Sequence, residues 1–188
     1  MKKLFGISLI TVITLFFTFS NYSNIIAGDS PQFVGVKTCG MCHKKDAKGN
    51  QLKVWQGSKH AKAYKTLQTA EADKIAKDKG FKTKAVETPE CLSCHTVASD
   101  VDASLKGKKF KIEDGVQCEA CHGAGSKYKK KSIMKDHAKA VAAGLTDFKD
   151  KAAIQKKCET CHNKKSPSYK KFEFEKMWKE IAHNIPKK

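Results

Sequence analysis

Gly115-Val116-Gln117-Cys118-Glu119-Ala120-Cys121-His122-Gly123 contains the pentad that decides how this 188-residue chain is read. Two thiols three positions apart, with a histidine directly after the second, form the attachment signature of c-type haem. The thiols add across the two vinyl groups of one porphyrin, and the histidine lies under the iron as proximal ligand. The pentad recurs. Cys39-Gly40-Met41-Cys42-His43 and Cys91-Leu92-Ser93-Cys94-His95 precede it, and Cys158-Glu159-Thr160-Cys161-His162 follows. Zinc ribbons use C-x-x-C pairs too, but they do not need histidine at the next position each time. A thioredoxin-like redox pair does not recur four times. Disulfides suit an exported protein, yet all eight cysteines are consumed by the four pentads. The spacing therefore predicts four covalent haems c, with His43, His95, His122 and His162 as proximal ligands.

The chain holds seven histidines, so three remain as distal candidates: His60, His137 and His183. Four irons offer four distal positions, and at least one must take methionine, another ligand or nothing. His60 shares a helical face with Ala63, Tyr64 and Leu67 behind a candidate N-cap at Ser58. His137 shares one with Met134, Val141 and Leu145. His183 points away from the stripe Phe174, Trp178, Ile181 and Ile185 if that helix stays regular, and Pro186 favours an irregular end. Met134 and Met177 are alternative distal ligands and alternative core filler. Met41, inside the first pentad, is poorly placed to reach across an iron.

Around these motifs the composition fixes the setting. Lys2 and Lys3 precede an apolar run from Leu4 to Phe19, and small and polar residues lead to Ala27. That order reads as a secretory signal peptide over residues 1–27, too short in its apolar part for a spanning helix of about 20 residues. Residues 28–188 are then the exported, periplasmic domain, with no stable membrane insertion. The formal net charge is +18, and every basic residue is lysine. Lack of arginine argues against nucleic-acid reading, which leans on bidentate guanidinium contacts. A lysine surface suits transient docking of an acidic redox partner. Haem propionates lower this charge in the holoprotein.

Aliphatic residues are sparse after residue 28, so the haems are expected to supply the missing core. Gly35–His43 is expected to lead into a helix ending in the Lys53-Val54-Trp55 region, and further helices are expected over 58–80, over 132–143 and over 170–183. Residues 81–90 read as a linker closed by Pro89, and 107–115 as a hairpin or loop. The expected fold is mainly α: a small, loop-rich helical multihaem cytochrome c fold with four haems forming the core.

The ordered blocks Lys37–His43, His60-Ala61-Lys62-Ala63, Gly115–Gly123, Asp136-His137 and Cys158–His162 resemble the tetrahaem cytochrome c-554 family of ammonia-oxidising bacteria and its wider relatives. The resemblance covers nearly all of residues 28–188. It implies that His60, His137 and His183 are the three distal ligands and that the haem on Cys91, Cys94 and His95 is five-coordinate. The family receives electrons from hydroxylamine oxidoreductase, a partner the resemblance does not imply here, because relatives occur in organisms with other metabolisms. The expected function is single-electron transfer between redox partners rather than catalysis. The alternatives are reduction of nitric oxide or a related nitrogen species at the open haem, and service as a subunit of an extracellular multihaem conduit.

Overall fold

In the computed structural model, residues 30–183 are described, and the leader expected over 1–27, Ile185 and Pro186 lie outside them. From Pro31 onward the chain falls in a single unit. Among the described residues the elements are short α-helices and 3-10 turns. An isolated bridge joins Phe33 to Lys106. The mainly helical expectation is met.

The helices are α1 (Val36–His43), α2 (Gln51–Gly57), α3 (Ala63–Thr66), α4 (Ala70–Asp78), α5 (Pro89–His95), α6 (Cys118–His122), α7 (Lys131–Met134), α8 (His137–Ala142), α9 (Lys151–Glu159) and α10 (Phe174–Ile181). None reaches the roughly 12–15 residues at which an isolated helix becomes marginally stable. Local caps and tertiary contacts must hold them. Thr69 caps α4 by accepting from Ala72 N. Asp136 caps α8 through Lys139 N, and Asp150 caps α9 through Ala153 N. Each satisfies one of the orphan donors of a helix start.

These caps also break the longer helices expected from periodicity. Ser58 does not start a helix. Its hydroxyl donates to Trp55 O at 2.7 Å and closes α2. His60–Lys62 is a 3-10 turn, and Thr69 then restarts the chain as α4. Residues 132–143 divide at Asp136, whose extended backbone and capping carboxylate separate α7 from α8. Met134 and His137 therefore occupy different helices. Pro89 does not end a linker but opens α5 at its first position, where its fixed φ suits the helix and its missing N–H costs nothing. Residues 107–115 form a loop ending in a 3-10 turn at Ile112–Asp114.

Buried apolar residues are few and mostly small, such as Val34, Ala76, Ala85 and Ala140. One apolar cluster joins Leu67, Ala76 and Ala85 to Phe81, Val86, Cys91 and Leu92, beside the second pentad. Polar side chains are buried as tightly: Thr88, Gln117 and Glu119 are 1%, 2% and 3% exposed.

Candidate functional site

Three pentads end a helix. His43, His95 and His122 are the last residues of α1, α5 and α6. Helical spacing of three and four places both thiols and the histidine on one face. The fourth pentad begins in the last turn of α9 and runs past its end. No disulfide joins any of the eight cysteines. Among the described residues, no three His, Cys, Asp or Glu side chains converge to hold a metal by themselves.

Two proximal rings are oriented through Nδ1. His95 Nδ1 lies 2.9 Å from Ala63 O, and His43 Nδ1 lies 3.1 Å from Gln51 Oε1. A carbonyl oxygen only accepts, so His95 Nδ1 carries the proton and Nε2 keeps its lone pair for a metal.

Two histidines from distant segments are brought to proximal ones. The His60 and His162 ring centres are 6.1 Å apart, and those of His122 and His183 are 5.9 Å apart. Imidazoles bonded to opposite sides of one metal, each at about 2 Å, have ring centres roughly 6 Å apart. Both pairs fit the bridging of a haem iron. Burial, then the charge of the paired ring, holds the His60 imidazole below its usual range. Burial lowers His162 likewise. His122 is pushed down to about 4 by burial, then by His183 and His43. Neutral imidazole is the form that binds iron. Phe172 stacks on His162 at 4.8 Å, and the edge of Phe148 meets His122 at 6.4 Å.

The backbone explains how each distal ring arrives. Val116 N donates to His60 O at 3.1 Å, and Trp55 Nε1 donates to Val116 O at 2.8 Å. Gly115 has φ +71°, and a Cβ there would meet His60 O at 2.8 Å. The Gly-Val-Gln lead into the third pentad is thus a close backbone contact with the His60 turn. His183 reaches His122 because α10 stops at Ile181 and Ala182 turns to φ −57°, ψ 131°.

His137 is placed differently. It opens α8, is exposed, and sets Nε2 3.2 Å from Asp147 Oδ1. Among the described residues its ring is not stacked against or paired with a proximal one. Met41 is 55% exposed and Met177 36%. Met134 is half-buried at the end of α7.

The pentads adjoin one another through their thiols. Cys39 and Cys118 share a hydrogen bond, which together with burial pushes the Cys39 thiol up, while the same bond draws Cys118 down against the effect of burial. Cys121 feels Cys158 and Cys161. Cys94 hydrogen-bonds Cys161, whose thiol burial raises. The pentads therefore adjoin in the order first, third, fourth, second.

Gln117 and Glu119 belong to this site and escape a search by ligand type. Gln117 Oε1 accepts from Val36 N at 2.9 Å, and its amide donates to Lys111 O at 2.9 Å. Glu119 accepts from Val34 N, Gly35 N and Gly125 N at 2.7–3.0 Å. Their only sequence signal is a polar residue on either side of Cys118.

Residues 38–123 match the model of the cytochrome c554 and c-prime family. Over that segment the chain is similar to the c554 family. No curated protein and no solved structure matches it. Members of that family are c-type cytochromes, and the three pentads inside the matched segment are in keeping with that similarity. The matched segment spans three pentads and His60. The fourth pentad, His137 and His183 lie beyond it. Among the described residues no helix is long and apolar enough to cross a membrane.

Proposed function

We propose that this cytochrome is an exported, periplasmic tetrahaem electron carrier, with a leader over residues 1–27 removed and residues 28–188 as the working domain. The observation that carries the reading is the pair of histidine couples, His60 with His162 and His122 with His183, at the spacing of two ligands on one iron. Haem supplies one-electron exchange at iron. The chain's own residues decide what else is possible. Cys39, Cys42, Cys91, Cys94, Cys118, Cys121, Cys158 and Cys161 hold the four groups. His43, His95, His122 and His162 would each supply an imidazole to one iron. His60 would close the fourth site and His183 the third against small molecules, as partners of His162 and His122, while His137, exposed beside Asp147, is the remaining distal candidate with no site assigned to it.

The second site favours a further reading. His95 has no ring facing it among the described residues, and the apolar cluster at Cys91 and Leu92 adjoins it. A five-coordinate iron there would take a small uncharged ligand such as nitric oxide, as an activity beside electron transfer. The lysine-rich surface supports transient docking of acidic redox proteins.

The test is paramagnetic resonance and optical spectroscopy of the oxidised holoprotein with haem quantified. The reading expects four haems per chain, low-spin signals from the histidine-paired irons and one high-spin signal. It also expects full reduction by an electron donor without turnover of small molecules. Fewer than four haems, or irons that are all high-spin, would overturn it.

A further inference from the structure

We propose that the Glu119 carboxylate is a fixed buried charge that holds the first and third haem sites in register and makes both irons harder to reduce. The proposal rests on the reading above, that both pentads carry haem. Glu119 is 3% exposed and follows Cys118 directly. Oε1 accepts from Val34 N at 2.8 Å and Gly125 N at 2.7 Å, while Oε2 accepts from Val34 N at 3.0 Å and Gly35 N at 2.8 Å. Every partner is a backbone N–H. A neutral acid would turn an O–H against one of these donors, so the bonds select the carboxylate. Val34 and Gly35 lead directly into α1, which carries the first pentad. One side chain of the third pentad thereby fixes the start of the first.

The same charge lies where two attachment points meet. The Cys39 thiol, raised mainly by its bond to Cys118 and by burial, is raised further by Glu119, which also acts on Cys118. At Cys91 and Cys158 the carboxylates that act are their own neighbours Glu90 and Glu159. Glu159 occupies the same place in the fourth pentad as Glu119 in the third, yet it is exposed and bonds Gln155. Solvent and salt screen an exposed charge, whereas a buried one acts at nearly full strength. Oxidation adds positive charge at iron. A fixed negative charge nearby favours the oxidised form and lowers the reduction potential.

The experiment is potentiometric titration, followed optically and by paramagnetic resonance, of wild-type, Glu119→Gln, Glu119→Asp and Glu159→Gln holoproteins with haem quantified in each. In Glu119→Gln two midpoints are expected to rise, each reduction equilibrium shifting at least tenfold, which is about 59 mV for one electron. The other midpoints stay. Glu119→Asp keeps the charge and should stay near wild type, and Glu159→Gln should change nothing. Unmoved midpoints in Glu119→Gln, an equal shift in Glu119→Asp, or a common shift of all the haems would overturn the proposal. If Glu119→Gln fails to assemble, infrared redox-difference spectra of wild-type protein with isotope-labelled glutamate decide. A labelled carboxylate band moving across two midpoints supports the proposal, and its absence overturns it. A wild-type haem count below four defeats the functional reading, whereas four haems with unmoved midpoints defeat only this assignment.

Discussion

Each imidazole that faces an iron must be neutral, and burial already biases the paired rings that way. Burial, then His183 and His43, pushes the His122 imidazole down to about 4, against 6.5 as the ordinary value. Between those values the unfolded chain binds more protons than the folded one. Stability therefore falls as pH drops through this window and levels off below about 4. His60 and His162 are shifted in the same direction. Melting followed by circular dichroism from pH 7 to pH 4 should show a falling midpoint, and a rise on acidification would contradict the assignment. The ring pairs also make separable predictions. His60→Ala should turn the fourth-site iron high-spin, and His183→Ala the third, each leaving the haem count unchanged. Paramagnetic resonance reads both. Gln117→Leu strands a buried N–H of Val36 and the carbonyl of Lys111. A loss of about 1–3 kcal/mol for the buried, unpartnered Val36 N–H is expected in denaturant unfolding.

At the scale of elements, the backbone contact between Gly115 and the His60 turn is the joint that matters most. Gly115→Ala must enter a backbone region closed to other residues, costing about 1–3 kcal/mol, and must push on His60 O. Lower thermal stability together with loss of the fourth-site low-spin signal is the expected result. Stability loss without the spectral change would break the proposed link. The elements also mark what the sequence could and could not convey. Helical type was legible from periodicity near His60, His137 and Trp178. The breaks were not, because Ser58, Thr69 and Asp136 use their side chains on the backbone, and apolar spacing carries no record of that. The reach of His183 to His122 depends on α10 ending at Ile181, an ending only hinted at by Pro186. The role of Glu119 was illegible, since one carboxylate among many acquires meaning only from the three backbone donors folded around it.

For the whole molecule, the scarcity of large buried aliphatics matches a chain whose packing is completed by porphyrin. The lysine surface predicts long-range attraction to acidic redox proteins. Their electron-transfer rate should fall steeply as ionic strength rises in stopped-flow measurements, because screening shortens the reach of the charge. A rate indifferent to salt would assign the lysines to solubility alone. Four porphyrins bonded through eight thiols are the expectation on which the rest depends. Its most direct test is the mass of the exported protein under denaturing conditions, with thiols counted. The expected result is a chain cut after the leader, heavier by four haems and without a reactive thiol. A bare polypeptide mass, or cysteines found free or joined in disulfides, would contradict it.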